Sequence, residues 1–143
     1  MMRAAIAMTG LILALHGSAA LACGHCVEDK IAAVYDHALI MQALAQKQQL
    51  AFFAFDGNFP ADEITKKSIE ALAKSVQGVE KNSVRVSVEL AALCLVFDPR
   101  RQSFAAIQSS LEKKLMEKKL TLLLIKIVDQ PEKVKSVAVG KAL

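Results

Sequence analysis

The spacing of hydrophobic positions changes several times along the chain, and each change marks a new element. Over 27–47, apolar residues recur at Ile31, Val34, Tyr35, Ala38, Leu39 and Ala45, which predicts one amphipathic helix. Glu28 and Asp29 in its first turn and Lys47 in its last suit the helix dipole, and no Gly or Pro interrupts it. The run from Gln49 to Phe55 is short, apolar and aromatic-rich, and Asp56-Gly57-Asn58 closes it, as expected of a buried strand. A second helix is predicted from Pro60 to about Val76. Its stripe is Ile64, Ile69, Leu72, Ala73 and Val76, and Gly78 is its stop signal.

From Ser83 the period drops to two. Val84, Val86, Val88 and Leu90 alternate with Arg85, Ser87 and Glu89, the signature of a half-buried strand. Leu93 to Phe97 reads as the next strand, joined through Ala91-Ala92 in a hairpin and ended by Asp98-Pro99. Ser103 can cap a third helix to about Lys119, with Phe104, Ile107, Leu111 and Leu115 on one side. Leu120 to Val128 is almost continuously apolar, which predicts a strand that is central or covered on both faces. Residues 129–143 read as a loosely attached, flexible tail.

After the first helix the order is therefore β-α-β-β-α-β. The expected class is α+β: a ferredoxin-like sandwich over 49–128, with a four-stranded antiparallel sheet and two helices on one face. The helix within 23–48 is an N-terminal extra that covers sheet or helix surface otherwise left apolar and bare.

Residues 1–22 change the setting. Arg3 is followed by an uncharged run ending in Ala20-Leu21-Ala22, the small-x-small pattern of a signal-peptide cleavage site. The strongly apolar part, Leu11 to Leu15, is broken by His16-Gly17-Ser18, and a spanning helix needs about 20 apolar residues. A cleaved signal peptide implies a periplasmic or secreted protein, where disulfides persist. Cleavage before Cys23 could also create a lipid anchor, but Ala20 and Leu21 stand in the reverse of the usual lipoprotein order. No membrane association is expected unless Cys23 is lipidated.

Loss of Arg3 lowers the formal charge of +4 by one unit. Bases alternate with acids, as in Glu112-Lys113-Lys114 and Glu117-Lys118-Lys119, and the chain has one tyrosine and no tryptophan. Such solvated helix faces, without aromatics to stack on bases, argue against a nucleic-acid partner.

The segments Val76-Gln77-Gly78-Val79, Ser83 to Val88, Leu95-Val96-Phe97-Asp98-Pro99 and Ser103 together resemble the heavy-metal-associated domain. That family includes small copper and mercury carriers and the N-terminal modules of metal-pumping P-type ATPases. The resemblance covers 49–128 and is best between 76 and 111. It implies a ferredoxin-like fold, a bound metal ion, and a metal transporter or other protein as partner. In the family, a Cys-x-x-Cys in the loop after the first strand holds the metal. Here that loop is Asp56-Gly57-Asn58-Phe59-Pro60, without cysteine, so the resemblance transfers no ligand to it.

The cysteines stand elsewhere, in Cys23-Gly24-His25-Cys26. Cys23, His25 and Cys26 supply three soft or borderline ligands within four residues, a set suited to Cu(I) or Zn. Cleavage after Ala22 would also place His25 third from a free amine. That arrangement offers a square-planar nitrogen set for Cu(II) or Ni(II). The same four letters occur in thioredoxin-fold disulfide isomerases, but no strand precedes Cys23 and the usual flanking Trp is Ala22. A plain Cys23–Cys26 disulfide and a Cys26–Cys94 pairing remain open, while burial as a small hydrophobe is the default for Cys94. On a single helix, His37 would lie about three turns from Cys26, too far to share an ion.

No glycine-rich phosphate loop, His-Glu-x-x-His motif or plausible Ser/His/Asp set is present, so hydrolytic catalysis is not expected. The expectation is an exported metal-binding protein, a carrier or sensor rather than an enzyme. Its cofactor would be a transition metal ion, copper foremost, on Cys23, His25 and Cys26. The alternatives are a periplasmic thiol-disulfide oxidoreductase using the same dithiol, and a metal-free interaction domain pairing through its edge strands.

Overall fold

The structure, a computed structural model, describes residues 27–131. The predicted signal peptide, Cys23, His25 and Cys26, and most of the tail lie outside these described residues. The elements in order are α1 (Val27–Ala33), α2 (His37–Ala45), β1 (Gln49–Asp56), α3 (Glu63–Lys74), β2 (Arg85–Ser87), β3 (Ala92–Phe97), α4 (Phe104–Met116) and β4 (Thr121–Val128). The strands form one antiparallel sheet in the order β2-β3-β1-β4. With α3 and α4 as the two crossovers, this is the ferredoxin-like βαββαβ arrangement.

Strand alternation splits the core into two layers. Ala51, Phe53 and Phe55 of β1 and Leu93, Leu95 and Phe97 of β3 pack with Ile69 and Ala73 of α3 and Ile107, Leu111 and Leu115 of α4. The intervening residues Leu50, Phe52, Ala92, Cys94 and Val96 pack with Val34, Ile40 and Ala43 from the α1–α2 region. Successive side chains of a strand point to opposite faces, so a strand buried along its whole length must be covered twice. β3 is buried at every residue, and β1 at all but its ends. Burying each large apolar side chain contributes about 1.5–3 kcal/mol, which makes the second layer a substantial part of the fold's stability.

Four features differ from the sequence expectation. The single N-terminal helix over 27–47 is two helices, because Asp36 takes an extended conformation and caps a new start, accepting from the Leu39 N–H. α3 begins at Glu63 rather than Pro60, with Asp62 as its cap, and Ile64 lies 80 % exposed instead of on the buried stripe. β2 is only three residues long; Val88–Ala91 form the turn, with Ala91 at a positive φ of 51°. β4 is an edge strand, not a central one.

This edge strand is also irregular. The β1–β4 register shifts between Phe52 and Phe53, leaving Ile125 as the extra residue of a bulge. Leu122 and Val128 reach the core, but Leu123 and Leu124 stand 54 % and 42 % exposed. Unbroken apolar character therefore does not report double coverage in this strand.

At Gly78 the stop signal is a conformational requirement. Its φ is +93°, and a Cβ there would sit 2.5 Å from Gln102 Cβ. Beyond β3, Asp98 takes a fork of hydrogen bonds from Arg100: Nε to Oδ1 at 2.9 Å, Nη2 to Oδ2 at 2.8 Å, and the backbone N–H to Oδ1 at 2.9 Å. Arg100 Nη2 also donates to the Gln46 carbonyl, tying the end of β3 to the end of α2.

Candidate metal site

The ligand cluster read from sequence ends at Cys26, one residue before α1. Lys30 Nζ donates to the Leu90 carbonyl in the β2–β3 turn. Further along the chain, Asp36 meets Arg85, the first residue of β2. The chain thus runs from the turn back along β2, and Val27 enters from the turn side. In the antiparallel register Ala54 pairs with Ala92, so this is also the end where β1 leaves the sheet into the loop before α3.

That β1–α3 loop carries no thiol or imidazole and is closed by packing. The rings of Phe55 and Phe59 lie 5.0 Å apart, Phe59 packs against the larger core layer, and Asp56 Oδ1 accepts from the Gly57 N–H. Among the described residues, no group of three or more His, Cys, Asp or Glu is placed to hold a metal ion.

Cys94 lies mid-strand, 2 % exposed, opposite Phe52 on one side and Arg85 on the other. Burial pushes its thiol up to about 12, against a smaller opposing effect of the Arg85 charge. It is a packed hydrophobe that holds its proton at neutral pH, and thiolate is the form that binds metal or attacks disulfides.

His37 is the first residue of α2 and exposed, its Nδ1 3.3 Å from the Tyr35 hydroxyl. The helix break at Asp36 removes the rigid three-turn spacing between Cys26 and His37 on which their separation was argued. Where Cys26 stands relative to His37 lies outside the described residues.

Asp36 was overlooked as an organising residue. Its signal is nevertheless in the sequence: an Asp followed by His-Ala-Leu is a legitimate N-cap, hidden inside a longer apolar periodicity. Its partner Arg85 is 49 residues away and carries no comparable local signal.

No family model matches the chain, and no curated protein matches it. Solved structures are similar to it, among them the following two. One is a copper binding domain from a P-type ATPase, 19% identical, with a TM-score of 0.44, covering 55% of this chain and 96% of that one. Another is the N-terminal domain of a potential copper-translocating P-type ATPase from Bacillus subtilis in its Cu(I)-loaded state. It is also 19% identical with a TM-score of 0.44, covering 58% of this chain and 94% of that one. The ferredoxin-like assignment rests on this chain's own strand order and register. No helix of the described residues is long and apolar enough to cross a membrane.

Proposed function

We propose that the chain is an exported metal-binding protein that carries or senses a soft transition metal, copper foremost, on Cys23, His25 and Cys26. The observation that supports this reading is the Cys-Gly-His-Cys cluster itself, set directly before a helix that enters from one definite end of the sheet. The resemblance to heavy-metal-associated domains points to that same end, where the family's loop holds its ion. The protonated, buried Cys94 leaves the two N-terminal cysteines as the thiols suited to the role. A metal transporter or another carrier is the partner such a cargo requires.

The rival reading, a thiol-disulfide oxidoreductase, draws on Cys26 preceding the first turn of α1, where a helix N-terminus favours thiolate. One set of titrations separates the two. Reduced mature protein is titrated with Cu(I) and Zn against a competing chelator, alongside Cys26→Ser and Cys94→Ala. Metal bound with micromolar or tighter affinity, lost in Cys26→Ser and kept in Cys94→Ala, supports the carrier. Turnover of a model disulfide without metal affinity overturns it.

A further inference from the structure

The two edges of the sheet differ in kind. β2 is three residues long, packs against α1 and α3, and has Arg85 held by Asp36. β4 is eight residues long, and among the described residues no strand pairs with its outer side. Leu123 and Leu124 stand exposed on its two opposite faces. A long apolar edge with open backbone N–H and C=O groups is a template for another strand. We propose that β4 pairs antiparallel with β4 of a second copy, about a two-fold axis at Leu123, in a weak dimer.

Three observations favour this occupant and this register. β2 is too short and too closely packed to receive β4, which leaves β4 to pair with itself, a contact that closes as a two-fold dimer. The bulge at Ile125 confines regular pairing to 121–125, and Leu123 is the middle of that segment. With the axis there, Leu123 meets its own copy on the α1–α2 face. On the α3–α4 face Leu124 meets the partner's Leu122, so both exposed leucines are covered. The charges also agree. Lys126 is the only charged residue of β4 and lies three positions from the axis. The two copies' lysines then stand about 20 Å apart, beyond a screening length of about 8–10 Å. So short a ladder falls well below the roughly 20–30 residues a side of a stable interface, so the dimer should form only at high concentration.

Sedimentation velocity of the reduced mature protein, with a metal chelator present, tests this apart from any pairing through thiols or metal. From roughly 10 µM to 1 mM, monomer should give way to dimer. Leu123→Lys sets like charges against each other at the axis and should raise the midpoint roughly tenfold. Met116→Lys, a change at a more exposed position on α4, should leave it in place. Amide exchange decides the matter if Leu123→Lys does not fold: 121–125 should slow as concentration rises, while β2 does not. A protein monomeric throughout, or a dimer unchanged in Leu123→Lys, overturns the pairing. Full protection of 121–125 already present in the monomer also overturns it, by giving the edge to a segment of the same chain.

Discussion

Arg85 Nη2 lies 3.1 Å from Asp36 Oδ2, while Asp36 Oδ1 accepts the Leu39 N–H at 3.1 Å. One carboxylate thus starts α2 and fastens it to the edge strand β2. These bonds, the Leu39 N–H first and Arg85 next, hold the Asp36 carboxyl below its usual range.

Removing both roles together should cost more than removing the charge alone. Asp36→Ala is expected to lower the thermal midpoint by several degrees and Asp36→Asn by less, since the amide oxygen can still cap. Arg85→Ala should be the mildest, because the pair is about one-third exposed and water screens it. In Asp36→Ala the Arg85 substitution should add almost nothing. Midpoints by circular dichroism test this; additive losses would mean the two residues do not act as one joint.

Phe52 and Phe53 are adjacent and face opposite layers, 2 % and 0 % exposed. Truncating either to Ala should destabilise by about 3–5 kcal/mol, a large share of a typical 5–15 kcal/mol total. Denaturant titration measures both. A near-neutral Phe52→Ala would show that α1 and α2 do not cover the second face.

Asp98 gives the fold a pH dependence of definite sign. The Arg100 side chain, then its backbone N–H, push the Asp98 carboxyl down to about 2 from an ordinary 3.8. A carboxylate depressed in the folded state stabilises fully above its unfolded value and loses that contribution as pH falls toward the folded one. Stability should therefore drop between pH 3.8 and about 2. Asp98→Asn should start less stable and lose less over that window in acid-titrated melts.

Cys94 should be silent to thiol reagents in the folded protein. With its thiol pushed up to about 12 and 2 % exposed, it should react only after denaturation. Timed reaction with an aromatic disulfide, without and with guanidinium, checks this. Fast labelling of Cys94 in the native state would contradict its burial. Cys94→Ser should destabilise by about 1–3 kcal/mol, leaving a hydroxyl with no evident partner in an apolar layer.

Much of the fold is visible in local pattern, because local pattern is what backbone geometry imposes. Period two marked the Val84–Val88 stretch, turn residues bounded β1, Ser103 capped α4, and Gly78 stands where φ of +93° requires it. The ligand cluster is legible only as composition: Cys23, His25 and Cys26 are adjacent in sequence, and their chemistry needs no fold to be noticed.

The sequence by itself determined the order of elements and which side chains are apolar enough to be buried. Only the tertiary structure decided where those elements meet. Helix and strand periods arise from contacts a few residues apart, whereas the Asp36–Arg85 joint, the edge position of β4 and the second core layer depend on residues far apart in the chain. Nothing local in Thr121–Val128 distinguishes a covered strand from an edge strand with a bulge at Ile125. Likewise, the N-cap signal of Asp36 is local, but that its carboxylate also fastens α2 to β2 follows only from Arg85 being folded against it.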